Sequence, residues 1–149
     1  MSNSFVKNYM HLIFHVKSTG IGIRPSDLLR VYAYIGGILK GIGSAPMAIG
    51  GTIDHIHILA PLPKTQSISD FVRIIKSESS RWIKTLDAYY TPFSWQDGYA
   101  AFSVSQSLLD VTKNYINNQE THHRNKSFEE EIKAFLEAYE IDYDDRFLF

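Results

Sequence analysis

Two histidines one residue apart, His55 and His57, form the first pattern in this sequence that could do chemistry. They lie in residues 52–60, where apolar and β-branched residues predict a strand. Because side chains alternate across a strand, both imidazoles face the same side, about 7 Å apart along the chain. Such a pair can chelate a divalent metal ion, although it also occurs in strands that bind nothing. Asp54 would point to the other face and could reach the metal only through a bulge.

Tyr115 and Gln119 form the second pattern. They are four residues apart in residues 108–122, which have helical periodicity, so they lie one turn apart on the same helix face. The phenol could be a nucleophile and the amide oxygen a metal ligand. The same pair could equally be a core tyrosine beside a surface glutamine, and the residues alone leave both interpretations open.

A basic helix face forms the third pattern. Arg73, Lys76, Ser80 and Lys84 follow one another at steps of three and four, and Arg81 is adjacent. This face could follow a phosphate backbone, or it could be an ordinary solvated surface. The aromatic residues between positions 89 and 102 leave a similar choice, because some could stack on unpaired bases while most are expected in the core.

The elements that position these residues follow from periodicity and capping. Residues 10–18 alternate as a strand, and a helix with apolar positions from Leu28 to Ile42 follows Pro25. Strands 45–49 and 52–60 are predicted to join in a hairpin at Gly50-Gly51. The capping pattern at Ser67 predicts a helix that carries the basic face.

The second half of the chain adds a strand at residues 100–105, a helix over 108–122 opened by Ser107, and a last helix that starts near Glu129. The order is β-α-β-β-α-β-α-α. It predicts an α+β fold, in which helices pack on an antiparallel-containing sheet of four to five strands, near the ferredoxin-like group.

The composition excludes several classes of protein. None of the 149 residues is cysteine, which excludes a disulfide scaffold, cysteine-ligated zinc and a thiol nucleophile. Hydrophobic residues make up 44% of the chain, so we expect one globular domain over residues 1–149. The N-terminus lacks a signal-peptide pattern, and no apolar stretch is long enough to span a bilayer, so we expect a cytoplasmic protein without a membrane partner.

The net charge of −1 hides an asymmetry along the chain. Residues 1–126 carry 13 Lys and Arg against 8 Asp and Glu, whereas residues 127–149 carry 2 against 8. A basic body with an acidic C-terminal helix over 127–149 is typical of a surface that binds a polyanion, joined to a segment kept away from it. Ordinary surface charge is the alternative interpretation.

In this order, the motifs resemble those of the single-tyrosine HUH (histidine–hydrophobic–histidine) transposases of the insertion sequence 200/605 family and their REP-associated relatives. The resemblance covers nearly the whole chain. The segments that carry it are His11, Phe14 and Lys17 of the first strand, residues 54–59, 74–81 and 93–99, Tyr115-Ile116 with Gln119, the following His122 and His123, and residues 127–131 and 141–144.

The resemblance implies an RRM-like HUH domain and a set of roles. His55, His57 and Gln119 would bind Mg²⁺ or Mn²⁺. Tyr115 would attack a phosphodiester of single-stranded DNA to give a 5′-phosphotyrosine and a free 3′-hydroxyl, and a second 3′-hydroxyl would reverse the step. A phenol of pKa about 10 is a poor nucleophile at neutral pH, which is consistent with a metal at the phosphate.

The resemblance also implies partners. The DNA would carry hairpins beside single strands, and the protein would be a nucleoid-associated homodimer whose tyrosine helix could serve the partner's histidines. Our candidates for DNA contact are Arg73, Lys76, Arg81, Lys84 and Lys17.

Three alternatives to a transposase of a mobile element stay open. The chain could be a host-kept relative that acts on repeated palindromes, or a catalytically inert module that binds hairpin DNA. It could also be an unrelated metal-dependent phosphoesterase, which would keep its activity when Tyr115 is changed to Phe.

Overall fold

A four-stranded antiparallel sheet organises the computed structural model, which describes residues 4–119 and 126–148. Its strands lie in the spatial order β2-β3-β1-β4. The strands are β1 (Tyr9–His15), β2 (Ala48–Gly51), β3 (His55–Pro61) and β4 (Ala100–Ser103), and the helices in the described residues are α1 (Leu28–Gly41), α2 (Ile68–Ile83), α3 (Leu109–Asn117) and α4 (Phe128–Ala138). The predicted α+β class with an antiparallel sheet is confirmed.

Side-chain alternation gives the sheet two different faces. On one face, Leu12 and Phe14 of β1 and Ile56 of β3 are buried in the main apolar core with α1 and α2. The opposite face is covered by α3, which packs on Leu59, and by α4, which packs on Ile13. Since His55 and His57 alternate with Ile56, they lie on this second face, under α3 and α4.

One of the two predicted capping serines begins its helix and the other does not, and a serine that was not predicted to cap begins α4. Ser67 accepts a hydrogen bond from the amide of Asp70 at 3.1 Å, and Ser127 accepts one from the amide of Glu130 at 3.1 Å. Ser107 makes no such bond, because a 3₁₀ turn over Gln106–Leu108 delays the start of α3 to Leu109. The prediction that Ser107 caps this helix is therefore wrong.

The predicted turn at Gly50-Gly51 is also wrong, because both glycines belong to β2 and residues 52–54 make the turn. Close approach of other backbone explains why these positions are glycine. A Cβ on Gly50 would lie 2.5 Å from the carbonyl oxygen of Ile116 in α3. A Cβ on Gly51 would lie 2.1 Å from the carbonyl oxygen of His55.

The helix ends also differ from the expected ones. The acidic helix expected over residues 127–149 ends at Ala138, because Glu140 adopts a left-handed φ of 55°. The helix expected over 108–122 is described only to Asn117, and His122 and His123 lie outside the described residues. In residues 4–119 and 126–148, no helix has both the length and the apolar character needed to cross a membrane.

Candidate active site

The two histidines of β3 lie side by side on the face under α3 and α4. His57 is opposite Ile13 of β1, and His55 is opposite His15. Both side chains are fully buried, and their ring centroids are 5.2 Å apart. Strand alternation thus places both imidazoles on one face, as the sequence predicts.

Neighbouring polar groups fix the orientation of His55. Its Nδ1 lies 2.8 Å from Asp54 Oδ1 and 2.9 Å from Thr52 Oγ1. The hydrogen bond with His55 lowers the pKa of Asp54 to about 2 against the opposing effect of burial, so this carboxylate is ionised. An ionised carboxylate can only accept, so Nδ1 carries the proton and Nε2 is turned toward the site. Asp54 therefore acts on His55 from the turn before β3, a position that the strand alternation did not predict.

His11 of β1 has the equivalent position beside His57. Its Nε2 lies 2.7 Å from His57 Nδ1, which leaves His57 Nε2 facing the same space as His55 Nε2. Burial and the neighbouring His57 lower the pKa of His11 to about 3, so its imidazole is neutral. A neutral imidazole can accept a hydrogen bond from the Nδ1–H of His57, as carboxylate and carbonyl groups do for the second nitrogen of histidines that bind metals.

α3 brings Tyr115 to these histidines, and Gln119 follows two residues after the end of that helix. Gln119 is 2% exposed, and its Oε1 lies 3.2 Å from His55 Nε2. The Tyr115 ring is half-buried and packs edge-on against His57, with centroids 5.9 Å apart. Four of the residues singled out in the sequence therefore meet in one place.

Glu131 of α4 completes this cluster, and sequence reasoning missed it. The residue is 2% exposed. Its Oε1 lies 2.9 Å from His57 Nε2 and 3.6 Å from His55 Nε2. Its Oε2 accepts hydrogen bonds from the Tyr115 hydroxyl and from Gln119 Nε2, the latter at 3.2 Å. One carboxylate thus contacts both histidines, the phenol and the amide.

The electrostatics of the cluster centre on this carboxylate. Burial opposes ionisation of Glu131, but hydrogen bonds and charges from His57, Tyr115 and His55 outweigh it and hold the pKa of Glu131 well below its usual range. Burial, together with the hydrogen bond to Glu131 and its charge, raises the pKa of Tyr115 well above its usual value. In this geometry the phenol is protonated and held by an ionised acid.

The same cluster has the composition of a metal site. His55, His57 and Glu131 each offer one ligand atom, and these atoms lie within 4.8 Å of one another. Gln119 Oε1 adds an amide oxygen beside His55. Imidazole nitrogens combined with carboxylate and amide oxygens suit a divalent metal cation.

A signal for Glu131 exists in the sequence, but it is weak. Glu129, Glu130 and Glu131 are interpreted there as acids that favour a helix N-terminus, and only one of them turns inward. Glu131 stands three residues after Phe128 and four before Phe135, so it interrupts the apolar stripe of α4. A carboxylate in such a stripe is the feature that could have identified it.

The basic residues expected to contact DNA are not brought to this cluster. Arg73, Arg81 and Lys84 are exposed on or just after α2, on the opposite side of the sheet, and Lys17 is exposed beyond the end of β1. Lys76 has a structural contact, because its Nζ donates to the carbonyl oxygens of Gln96 at 2.7 Å and Gly98 at 2.9 Å. Partial burial lowers its pKa.

Comparison with known proteins gives a family and a fold. The family model described as "Transposase IS200 like" matches residues 4–119. No curated protein matches the chain significantly.

Two solved structures resemble this one. One is a candidate transposase from Deinococcus radiodurans R1, 21% identical with a TM-score of 0.62, aligned over 80% of this chain and 95% of its own. The other is a REP-associated tyrosine transposase bound to a REP hairpin, 13% identical with a TM-score of 0.60, aligned over 83% of this chain and 73% of its own. At these identities the likeness shows a shared fold.

Proposed function

Because this chain belongs to the IS200-like transposase family, we propose that it cleaves and rejoins single-stranded DNA through a covalent link to Tyr115. The observation that supports this proposal most directly is the meeting of Tyr115 with His55 and His57 in one buried cluster. An inert DNA-binding module would have no need to keep a phenol, two imidazoles and a carboxylate together at such a cost in desolvation.

The proposed chemistry is a transesterification. The Tyr115 oxygen forms a bond to the phosphorus of a phosphodiester, and the bond from that phosphorus to the 3′-oxygen of the preceding nucleotide breaks. The phenolic proton ends on the leaving 3′-oxygen, which becomes a free hydroxyl. Since one phosphate ester replaces another, a 3′-hydroxyl of a second strand can reverse the step and rejoin DNA without ATP.

The donor set fits a divalent cation, with His55 and His57 as ligands from β3 and Gln119 as a ligand from the segment just after α3. When bound, Mg²⁺ or Mn²⁺ would draw charge from the phosphate and favour attack by a phenol that is protonated at neutral pH. Asp54 and His11 serve this site by holding the Nδ1 atoms of His55 and His57, so that each Nε2 faces the cluster.

The proposed substrate is single-stranded DNA that carries a hairpin. A structural neighbour of the same fold is bound to a REP hairpin. Arg73, Arg81 and Lys84 offer exposed positive charge on the α2 side, and Lys17 offers it near the histidine end of β1. We extend the proposal to a homodimer, as the family resemblance implies.

Covalent capture tests the proposed function. Full-length protein, Mn²⁺ and end-labelled hairpin DNA are mixed and separated on a denaturing gel. We expect a protein band shifted by the mass of the attached DNA, lost on chelation and absent in Tyr115→Phe. Tyr99→Phe, which changes an exposed tyrosine outside the cluster, should keep the band. Cleavage that persists in Tyr115→Phe would instead indicate a metal-dependent hydrolase.

A further inference from the structure

Glu131 has two oxygens in two different environments. Oε1 faces His55 and His57, while Oε2 faces Tyr115 and Gln119. We propose that Glu131 is a ligand of the catalytic cation through Oε1 and holds the Tyr115 hydroxyl through Oε2, so that α4 is part of the active site. This inference rests on the proposed function for the existence of the cation, and it adds a ligand that lies beyond the region matched by the family model.

The distances around Oε1 favour a ligand role. Neighbouring ligand atoms about 2.1 Å from an octahedral cation lie about 3 Å from one another. Oε1 is 2.9 Å from His57 Nε2 and 3.6 Å from His55 Nε2, and Gln119 Oε1 is 3.2 Å from His55 Nε2. Two imidazoles and one carboxylate also form the donor set of a facial triad, which leaves coordination positions open for a substrate.

The environment of Oε2 gives the carboxylate its second role. The Tyr115 hydroxyl donates to Oε2, and Gln119 Nε2 donates to the same oxygen at 3.2 Å. A carboxylate that binds a cation through one oxygen can accept hydrogen bonds through the other. Glu131 would therefore fix the nucleophilic oxygen relative to the cation, and positioning of this kind is a large part of catalysis by phosphoryl-transfer enzymes.

Packing of α4 holds Glu131 in this position independently of any ligand. Ile132 and Leu136 pack on Ile13 and Phe102 of the sheet, and Phe128 covers His55 with ring centroids 4.5 Å apart. The carboxylate therefore enters the site on a rigid helix. A buried carboxylate is costly unless it is paired, and a divalent cation would compensate its charge.

Binding of Mn²⁺ to the full-length chain tests this inference without measuring activity. The six-line resonance of free Mn²⁺ gives the bound fraction in a titration. We expect Glu131→Gln, which keeps the size of the side chain and one acceptor oxygen but removes the charge, to weaken Mn²⁺ affinity at least about 10-fold. The matched control is Glu130→Gln, an exposed neighbour on the same helix, which should bind within about twofold of the unchanged protein.

A second measurement needs no variant and covers the case in which Glu131→Gln does not fold. Hydrogen exchange of the unchanged protein is compared with and without Mn²⁺. If Glu131 is a ligand, Mn²⁺ should slow exchange across α4 (Phe128–Ala138) as well as in β3. Slowing confined to β3 and α3 would contradict the inference.

The outcomes separate this inference from the proposed function. Equal Mn²⁺ affinity in Glu131→Gln and the unchanged protein would overturn the ligand role and leave tyrosine chemistry standing. If Glu131→Gln binds Mn²⁺ equally well and also forms the DNA adduct faster than the unchanged protein, the ligand role is overturned and Glu131 instead inhibits the reaction. Glu131-dependent Mn²⁺ binding in a protein that forms no DNA adduct would support the ligand role and contradict the transposase chemistry.

Discussion

Two imidazoles become usable metal ligands here because other side chains decide which nitrogen faces the site. Asp54 holds Nδ1 of His55, and His11 holds Nδ1 of His57. The pKa of Asp54 is lowered to about 2 and that of His11 to about 3, so near neutral pH the first is an anion and the second a neutral ring. These states keep both Nε2 atoms directed at the same point.

The contacts of Lys76 bear on its predicted role in DNA binding. Its ammonium group donates to the carbonyl oxygens of Gln96 and Gly98, so it ties α2 to the segment before β4. A lysine with this contact is less available to a phosphate than an exposed arginine of the same helix.

We therefore predict that Lys76→Met lowers the free energy of unfolding by about 1–2 kcal/mol, because two carbonyl groups lose a charged donor. Arg73→Gln, on the exposed surface of the same helix, should change stability by less than about 0.5 kcal/mol and weaken DNA binding in a salt-dependent way. Urea unfolding and DNA titrations at two salt concentrations measure both effects. Wild-type stability in Lys76→Met would show that the contact contributes nothing.

At the scale of the elements, the approach of α3 to β2 sets the position of Tyr115. Gly50 lies under Ile116, one residue after Tyr115, with no room for a Cβ. The helix that carries Tyr115 thus packs directly on the backbone of β2. The distance between α3 and β3 therefore depends on the absence of a side chain at Gly50.

Gly50→Ala should push α3 away from the sheet. We expect covalent capture to fall by about 100-fold, because displacements near 1 Å at a catalytic group have effects of that size. Gly37→Ala is the matched control, since a Cβ there meets nothing within 4 Å, and alanine inside α1 should raise stability by roughly 1 kcal/mol. Capture rates and thermal unfolding of both variants test this. Covalent capture by Gly50→Ala at the rate of the unchanged protein would mean that the position of α3 does not depend on its contact with Gly50.

The elements also show what the sequence can and cannot predict. Alternation in β1 and β3, the capping serine of α2 and the acids that begin α4 are local signals, so the order of elements and the shared face of His55 and His57 could be predicted. The turn at residues 52–54 could not be predicted, because Gly50 is required by its close contact with α3, which is distant in sequence, and not by a turn. Glu131 could not be assigned to the site for the same reason, since which of three consecutive acids turns inward depends on how α4 lies on the sheet.

For the whole molecule, the acidic C-terminal region is not held apart from the basic body. α4 packs on the sheet face that carries the histidines, and one of its acids is buried among them. The exposed arginines of α2 lie on the other side of the sheet. Charge is therefore distributed across the layers of the fold, and a DNA strand that touched both sides would have to pass around an edge of the sheet.

The position of Tyr115 predicts whether, in a dimer, it would act with the histidines of its own subunit or with those of the partner. Tyr115 packs against His57 of its own chain and donates to its own Glu131. We predict that each subunit uses its own nucleophile, so a mixture of Tyr115→Phe with a His55→Ala, His57→Ala double variant should form no adduct. Recovery of capture in the mixed sample, after the subunits have been allowed to exchange, would show that the tyrosine serves the partner's histidines.

The proposed function requires that Tyr115 becomes covalently attached to DNA, and mapping the attachment site tests this requirement. Hairpin DNA labelled at either end is reacted with full-length protein and Mn²⁺, the adduct is digested, and the modified peptide is identified by mass spectrometry. We expect a 5′-phosphate on Tyr115, with the 3′-labelled fragment retained and the 5′-labelled fragment released with a free 3′-hydroxyl. Attachment at another residue, or retention of the 5′-labelled fragment, would contradict it.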